Sequence, residues 1–200
     1  MAFESDWTFL KAALPDLQEY ILSSEIYWTL RPPSRSAAGV QIPQLTIGNL
    51  LLSQARLSAA APTAHEKEEL ANLSREIDVL RDEWRANWGQ KAGREHTSRL
   101  NLWQQYLGEL RGNVHGKPAA QSAYYAREVR NRAILRLLRP EVIMGTAVGL
   151  PAAEREQLDM LDQVLKGLTR ESPFVWEPEA QSSFPREGFW FLYAEPLPKP

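Results

Sequence analysis

Apolar residues recur at intervals of three and four along most of this chain, the periodicity of helices that bury one stripe. Trp7, Leu10, Leu14, Leu17, Tyr20 and Ile21 follow it within Ser5 to Leu30. Pro15 interrupts that pattern, removing a backbone donor and crowding the preceding turn. The reading is therefore a kink or two short helices, the second running from Pro15 to about Tyr27. A loop at 31–39 follows. The next helix opens after Pro43 with Thr46 as N-cap and runs to the alanines at 59–61. Thr63 and Glu66 stand in capping-box spacing, so a third helix starts near residue 64.

From there Leu70, Leu73, Ile77, Leu80 and Trp84 space three and four apart. Leu100, Trp103, Leu107 and Leu110 do so again, with Trp88, Ala92 and His96 bridging at fours. One unbroken helix over 64–111 would span roughly 70 Å, against roughly 40 Å for a compact domain of this length. Either the chain breaks at the helix-weakening glycines Gly89 to Gly93, or the helix projects and offers its stripe to a partner. The absence of any proline or turn dipeptide between the halves favours one long bent helix. After a loop at 112–118, a helix predicted over Ala119 to Arg139 is apolar on several sides and yet carries five arginines. Shorter helices follow from Pro140 to Val148 and from Pro151, the latter burying Leu158, Leu161, Leu165 and Leu168.

The last 30 residues change character. They hold 6 of the 14 prolines together with Phe174, Trp176, Phe184, Phe189, Trp190, Phe191 and Tyr193. This reads as an extended strap with a small strand pair at Phe174–Trp176 and Phe189–Tyr193. The expected architecture is an all-α bundle of five to seven helices over residues 1–170. A strap over 171–200 packs on it or on a second subunit, because so many aromatics are not left in water.

Composition narrows the chemistry. With no cysteine, disulfides, thiolate metal sites and cysteine nucleophiles are excluded. No apolar window is long enough to cross a bilayer and the first ten residues have no signal-peptide form, so a soluble, cytoplasmic protein is expected. The overall charge of −2 hides an asymmetry: residues 75–139 carry 13 basic and 7 acidic side chains, while both flanks are acidic. The ordinary reading is that the flanks pack on the middle and neutralise it; a nucleic-acid surface is the alternative.

Arg132, Arg136 and Arg139 share a sector of the arginine-rich helix, and guanidinium groups placed there need anionic partners. Acidic residues such as Glu154, Glu156, Asp159 and Asp162 supply them, or else an anionic ligand does. Arg111 and His115 form a second pair with acid–base capability. His65 and Glu69 fall in an exposed acidic turn, and His96, on the apolar stripe, reads as a packing residue, so neither a metal nor any cofactor is expected. Trp84, Trp88 and Trp103 on the long stripe, with Trp190 and Phe191 in the tail, are the interface candidates. Taken together the expectation is a non-enzymatic helical interaction or assembly protein, self-associating or bound to a protein partner. Nucleic-acid binding, or a small-anion or hydrolytic site in the bundle, are the other readings.

Overall fold

A computed structural model describes residues 3–30, 42–60, 63–112, 118–145 and 149–197, and the side chains of all of these except 118–120. Among them are eight α-helices: α1 (Glu4–Ala13), α2 (Leu17–Leu22), α3 (Ile47–Ala60), α4 (Ala64–Glu83), α5 (Arg85–Gly112), α6 (Pro118–Gly145), α7 (Ala152–Leu168) and the single turn α8 (Arg186–Phe189). Two short strands, β1 (Thr169–Glu171) and β2 (Ala194–Pro196), pair antiparallel with Arg170 opposite Glu195. The fold is all-α, and no helix of the described residues is long and apolar enough to cross a membrane.

The local signals act where they stand. Pro15 produces a 3-10 turn, Leu14–Asp16, between α1 and α2. Thr46 Oγ1 accepts the Asn49 N–H at 3.0 Å at the start of α3. Thr63 and Glu66 close a reciprocal capping box before α4. α2, however, ends at Leu22 rather than near Tyr27. The reason is tertiary: Lys91 Nζ donates to the carbonyls of Ser23 at 3.0 Å and of Glu25 at 2.6 Å, taking the acceptors that a longer helix would use.

The long stripe bends once, at Trp84, whose φ of −110° and ψ of 35° leave the helical region. Hydrogen bonds run into it (Trp84 N–H to Leu80 carbonyl) and out of it (Trp88 N–H to Trp84 carbonyl), so one residue separates α4 from α5. The bend does not fall at Gly89–Gly93, which lie inside α5. Gly89 serves another purpose: a Cβ there would lie 2.3 Å from the Cα of Gly145. The two glycines let α5 and α6 cross backbone to backbone.

From that crossing the pair runs antiparallel. Trp88 Nε1 donates to Glu141 at 2.8 Å, Arg99 Nη1 to Asn131 at 2.9 Å, and Tyr106 packs on Tyr124 and Tyr125. α6 continues through Pro140 to Gly145 where a break was expected. Pro140 and Arg136 are both exposed, so the carbonyl that loses its donor faces water and the helix survives. The expected extension to Val148 lies outside the described residues.

In the tail, Phe189–Tyr193 turn as helix and not as strand. A strand would send the neighbours Phe191 and Leu192 to opposite faces, whereas both are fully buried here, which a helical turn permits. The strand pair forms just outside, and Val175 and Ser172 donate to the Leu192 and Tyr193 carbonyls without extending it. The tail docks on α6 of the same chain: Tyr125 Oη donates to the Phe191 carbonyl and Trp176 Nε1 to the Ala126 carbonyl.

Because the Gly89–Gly145 crossing leaves no space for a methyl group, Gly89→Ala should force the helices apart and cost about 2 kcal/mol or more. Urea denaturation of the variant, with Gly167→Ala on an open surface as control, measures it. An unchanged midpoint would contradict the crossing.

Candidate functional site

α5 is the central element, and consecutive residues on it serve different neighbours. Glu95 is fully buried towards α3, where its Oε2 accepts the Gly48 N–H at 2.8 Å and its Oε1 meets Arg99 Nε at 3.2 Å. Arg130 nearby donates to Asn49 Oδ1 at 3.1 Å. Burial, then repulsion from Arg99, pushes its guanidinium down to about 10.

His96, one residue on, turns to α7. It is 1% exposed, and its Nδ1 lies 2.8 Å from Glu154 Oε2. The other carboxylate oxygen of Glu154 accepts from Thr97 Oγ1 at 2.8 Å. Glu154 sits in the first turn of α7, where the helix dipole favours a negative charge. A carboxylate only accepts, so Nδ1 carries the proton and Nε2 is left as an acceptor. That Nε2 is buried and has no hydrogen-bond partner. Burial lowers the imidazole pKa; the Glu154 hydrogen bond and charge oppose the shift, and Arg132 and Arg139 add to it.

Arg132 of α6 is the second unusual group. Its Nε and Nη2 form a fork on the two carboxylate oxygens of Asp162 in α7, at 2.8 and 2.7 Å, and its guanidinium lies over the Phe191 ring at 4.5 Å. Its Nη1 is buried with no partner. His96 Nε2 and Arg132 Nη1 are thus a buried acceptor and a buried donor, each unpaired. Such groups cost roughly 1–3 kcal/mol apiece unless something pairs with them. Beside His96 a cavity of about 300 Å³ opens between α5, α6 and the start of α7, walled also by Leu150, Leu158, Arg139, Glu154 and Arg155.

The structure separates the other candidates. Arg139 stands at this cavity, while Arg136 is exposed beside Gly188 of α8. Arg111 is exposed at the end of α5, and His115 lies outside the described residues. Trp88, Trp103 and Phe191 are buried in the chain's own core, and Trp84 and Trp190 are half-buried against it. The basic middle segment is extensively paired with acids: Arg81 with Asp78, Arg85 with Asp82, Arg99 with Glu95, Arg127 with Glu128 and Arg132 with Asp162. No group of three or more metal-ligating side chains occurs among the described residues.

His96 was legible only as a packing residue, because its place on the Trp88–Ala92–His96 stripe is real. Thr97 and Arg155 carry no sequence signal at all. The one available hint is Glu154, an acid in the first turn after Pro151.

The lowered pKa of His96 has a defined sign. Between its folded pKa and the ordinary value of 6.5, the unfolded chain binds a proton at this imidazole and the folded chain does not. Stability is therefore highest above about pH 6.5 and falls as the pH drops through the window beneath it. Denaturant unfolding from pH 7.5 to 5.5 should show this slope, and His96→Gln should remove its share. Compared with protein-family models, curated proteins and solved structures, the chain matches none of them.

Proposed function

We propose that the chain binds a small anionic ligand in the cavity between α5, α6 and the start of α7. The observation that supports this reading is the wall of that cavity, where Arg139 of α6 and Arg155 of α7 stand beside His96. Their guanidinium groups suit carboxylate or phosphate oxygens, Glu154 is engaged by His96 and Thr97, and Glu156 and Asp159 on the same wall oppose a highly charged anion. Binding is favoured over catalysis because Glu154 is engaged by His96 and Thr97 together, and no hydroxyl or other nucleophile of the described residues hydrogen-bonds Nε2. The His96–Glu154 pair is built to hold an imidazole in one tautomer.

The test is calorimetric titration with inorganic phosphate, sulfate and small carboxylates, followed by Arg139→Ala. Arg139 is exposed, so its loss should leave stability within about 0.5 kcal/mol while weakening binding about tenfold. No binding at millimolar concentration, or binding indifferent to Arg139→Ala and Arg155→Ala, would sink the proposal.

A second reading is association with a protein partner or another copy through the outer face of α7. Met160 and Val164, four residues apart on one face, are 62% and 38% exposed, and Leu197, which pairs with the Leu168 carbonyl at the helix end, is exposed too. Absolute mass by light scattering, for the chain and for Met160→Lys, tests self-association. A monomer in both would leave that face to a different partner, to be sought by cross-linking from Met160→Cys.

A further inference from the structure

The cavity beside His96 does not present a single sign of charge. Glu154 is committed, one carboxylate oxygen to His96 at 2.8 Å and the other to Thr97 at 2.8 Å. The charged groups left facing the space are two arginines, Arg139 and Arg155, and two acids, Glu156 and Asp159. Arg155 and Asp159 stand four residues apart on α7, a spacing at which opposite charges commonly close on each other. They do not do so here. None of the four forms an ion pair among the described residues, whereas Arg81, Arg85, Arg99, Arg127 and Arg132 all do.

Two charges of each sign around one concavity are poorly matched by a ligand of one sign. A simple anion drawn to the arginines meets two carboxylates, and a simple cation drawn to the carboxylates meets two guanidinium groups. A ligand that carries both charges satisfies all four. Part of the wall is apolar, with Leu150 ahead of α7 and Leu158 in its second turn, and gives contact for a short hydrocarbon group. The volume of about 300 Å³ stands at the lower end of the range of small-molecule sites, roughly 300–1,000 Å³, so the ligand is small.

Resting on the anion-binding reading above, we infer that the ligand is a zwitterion, an α-amino acid with a small apolar side chain. Its carboxylate lies against Arg139 and Arg155, whose planar guanidinium forks match a pair of oxygens. Its ammonium group has only donors and faces the carboxylates of Glu156 and Asp159, which only accept. Its side chain covers Leu150 and Leu158.

The experiment is calorimetric titration of the full chain at pH 7.5 with leucine and with its two halves: isocaproate, which lacks the ammonium group, and isoamylamine, which lacks the carboxylate. Inorganic phosphate serves as the simple anion. Leucine should bind about tenfold more tightly than isocaproate, the combined effect of two partly exposed ion pairs, and more tightly than isoamylamine. Glu156→Gln combined with Asp159→Asn, both at exposed positions, should weaken leucine and tighten isocaproate until the two bind alike. A disturbed fold would instead weaken both. Isocaproate or phosphate binding as tightly as leucine overturns this inference and leaves anion binding intact. Isoamylamine matching leucine overturns it as well, and so does a preference for leucine that survives the double substitution. Failure of leucine, isocaproate and phosphate alike overturns the reading on which it rests.

Discussion

The Glu95 carboxylate is the constraint around which the helices are arranged. It is fully buried, a placement that costs several kcal/mol unless every lone pair is used. The structure uses them by bringing the first turn of α3 against α5, so that the Gly48 N–H donates to one oxygen, while Arg99 meets the other and reaches on to Asn131 of α6. Only glycine fits at residue 48: a Cβ would lie 2.2 Å from Ile134 Cγ2 and 2.7 Å from the carboxylate itself. One ion pair thereby sets the spacing of three helices. It also explains why a glycine in the first turn of α3 is tolerated despite its helix penalty.

With α3, α5 and α6 placed, the adjacent position on α5 is left to organise α7. His96 and Thr97 hold its first turn through Glu154, and Arg132 holds its middle through Asp162. α7 adds apolar packing to these polar contacts, with Leu165 fully buried and Leu158 and Leu161 half-buried against the core. The aromatic tail completes the arrangement from the other side, Phe191 supplying the ring beneath Arg132. Of the arginines of the basic segment several are in structural ion pairs, Arg139 stands at the cavity, and others such as Arg111 and Arg136 are exposed.

What the amino-acid order determined was local. The three-and-four periodicity, the Thr46 and Thr63 caps, the Pro15 interruption and the start after Pro151 each act within a turn or two of chain, and helix type and approximate limits followed from them. What only the tertiary structure decided depended on partners distant in sequence. α2 stops at Leu22 because Lys91 takes the carbonyls of Ser23 and Glu25 just beyond it; the long stripe bends at Trp84, although the glycines nearby seemed the weaker points; Pro140 is carried within α6 because it and Arg136, whose carbonyl it leaves without a donor, are on the exposed side; and Phe189–Tyr193 coil because two consecutive side chains must be buried. The site is of the same kind. His96, Arg132 and Glu154 are separated by tens of residues, and a stripe position that reads as core becomes a half-paired imidazole only when α7 arrives with a carboxylate for one nitrogen and nothing for the other. Periodicity reports which face of a helix is turned inward; it contains no information on what will be waiting there.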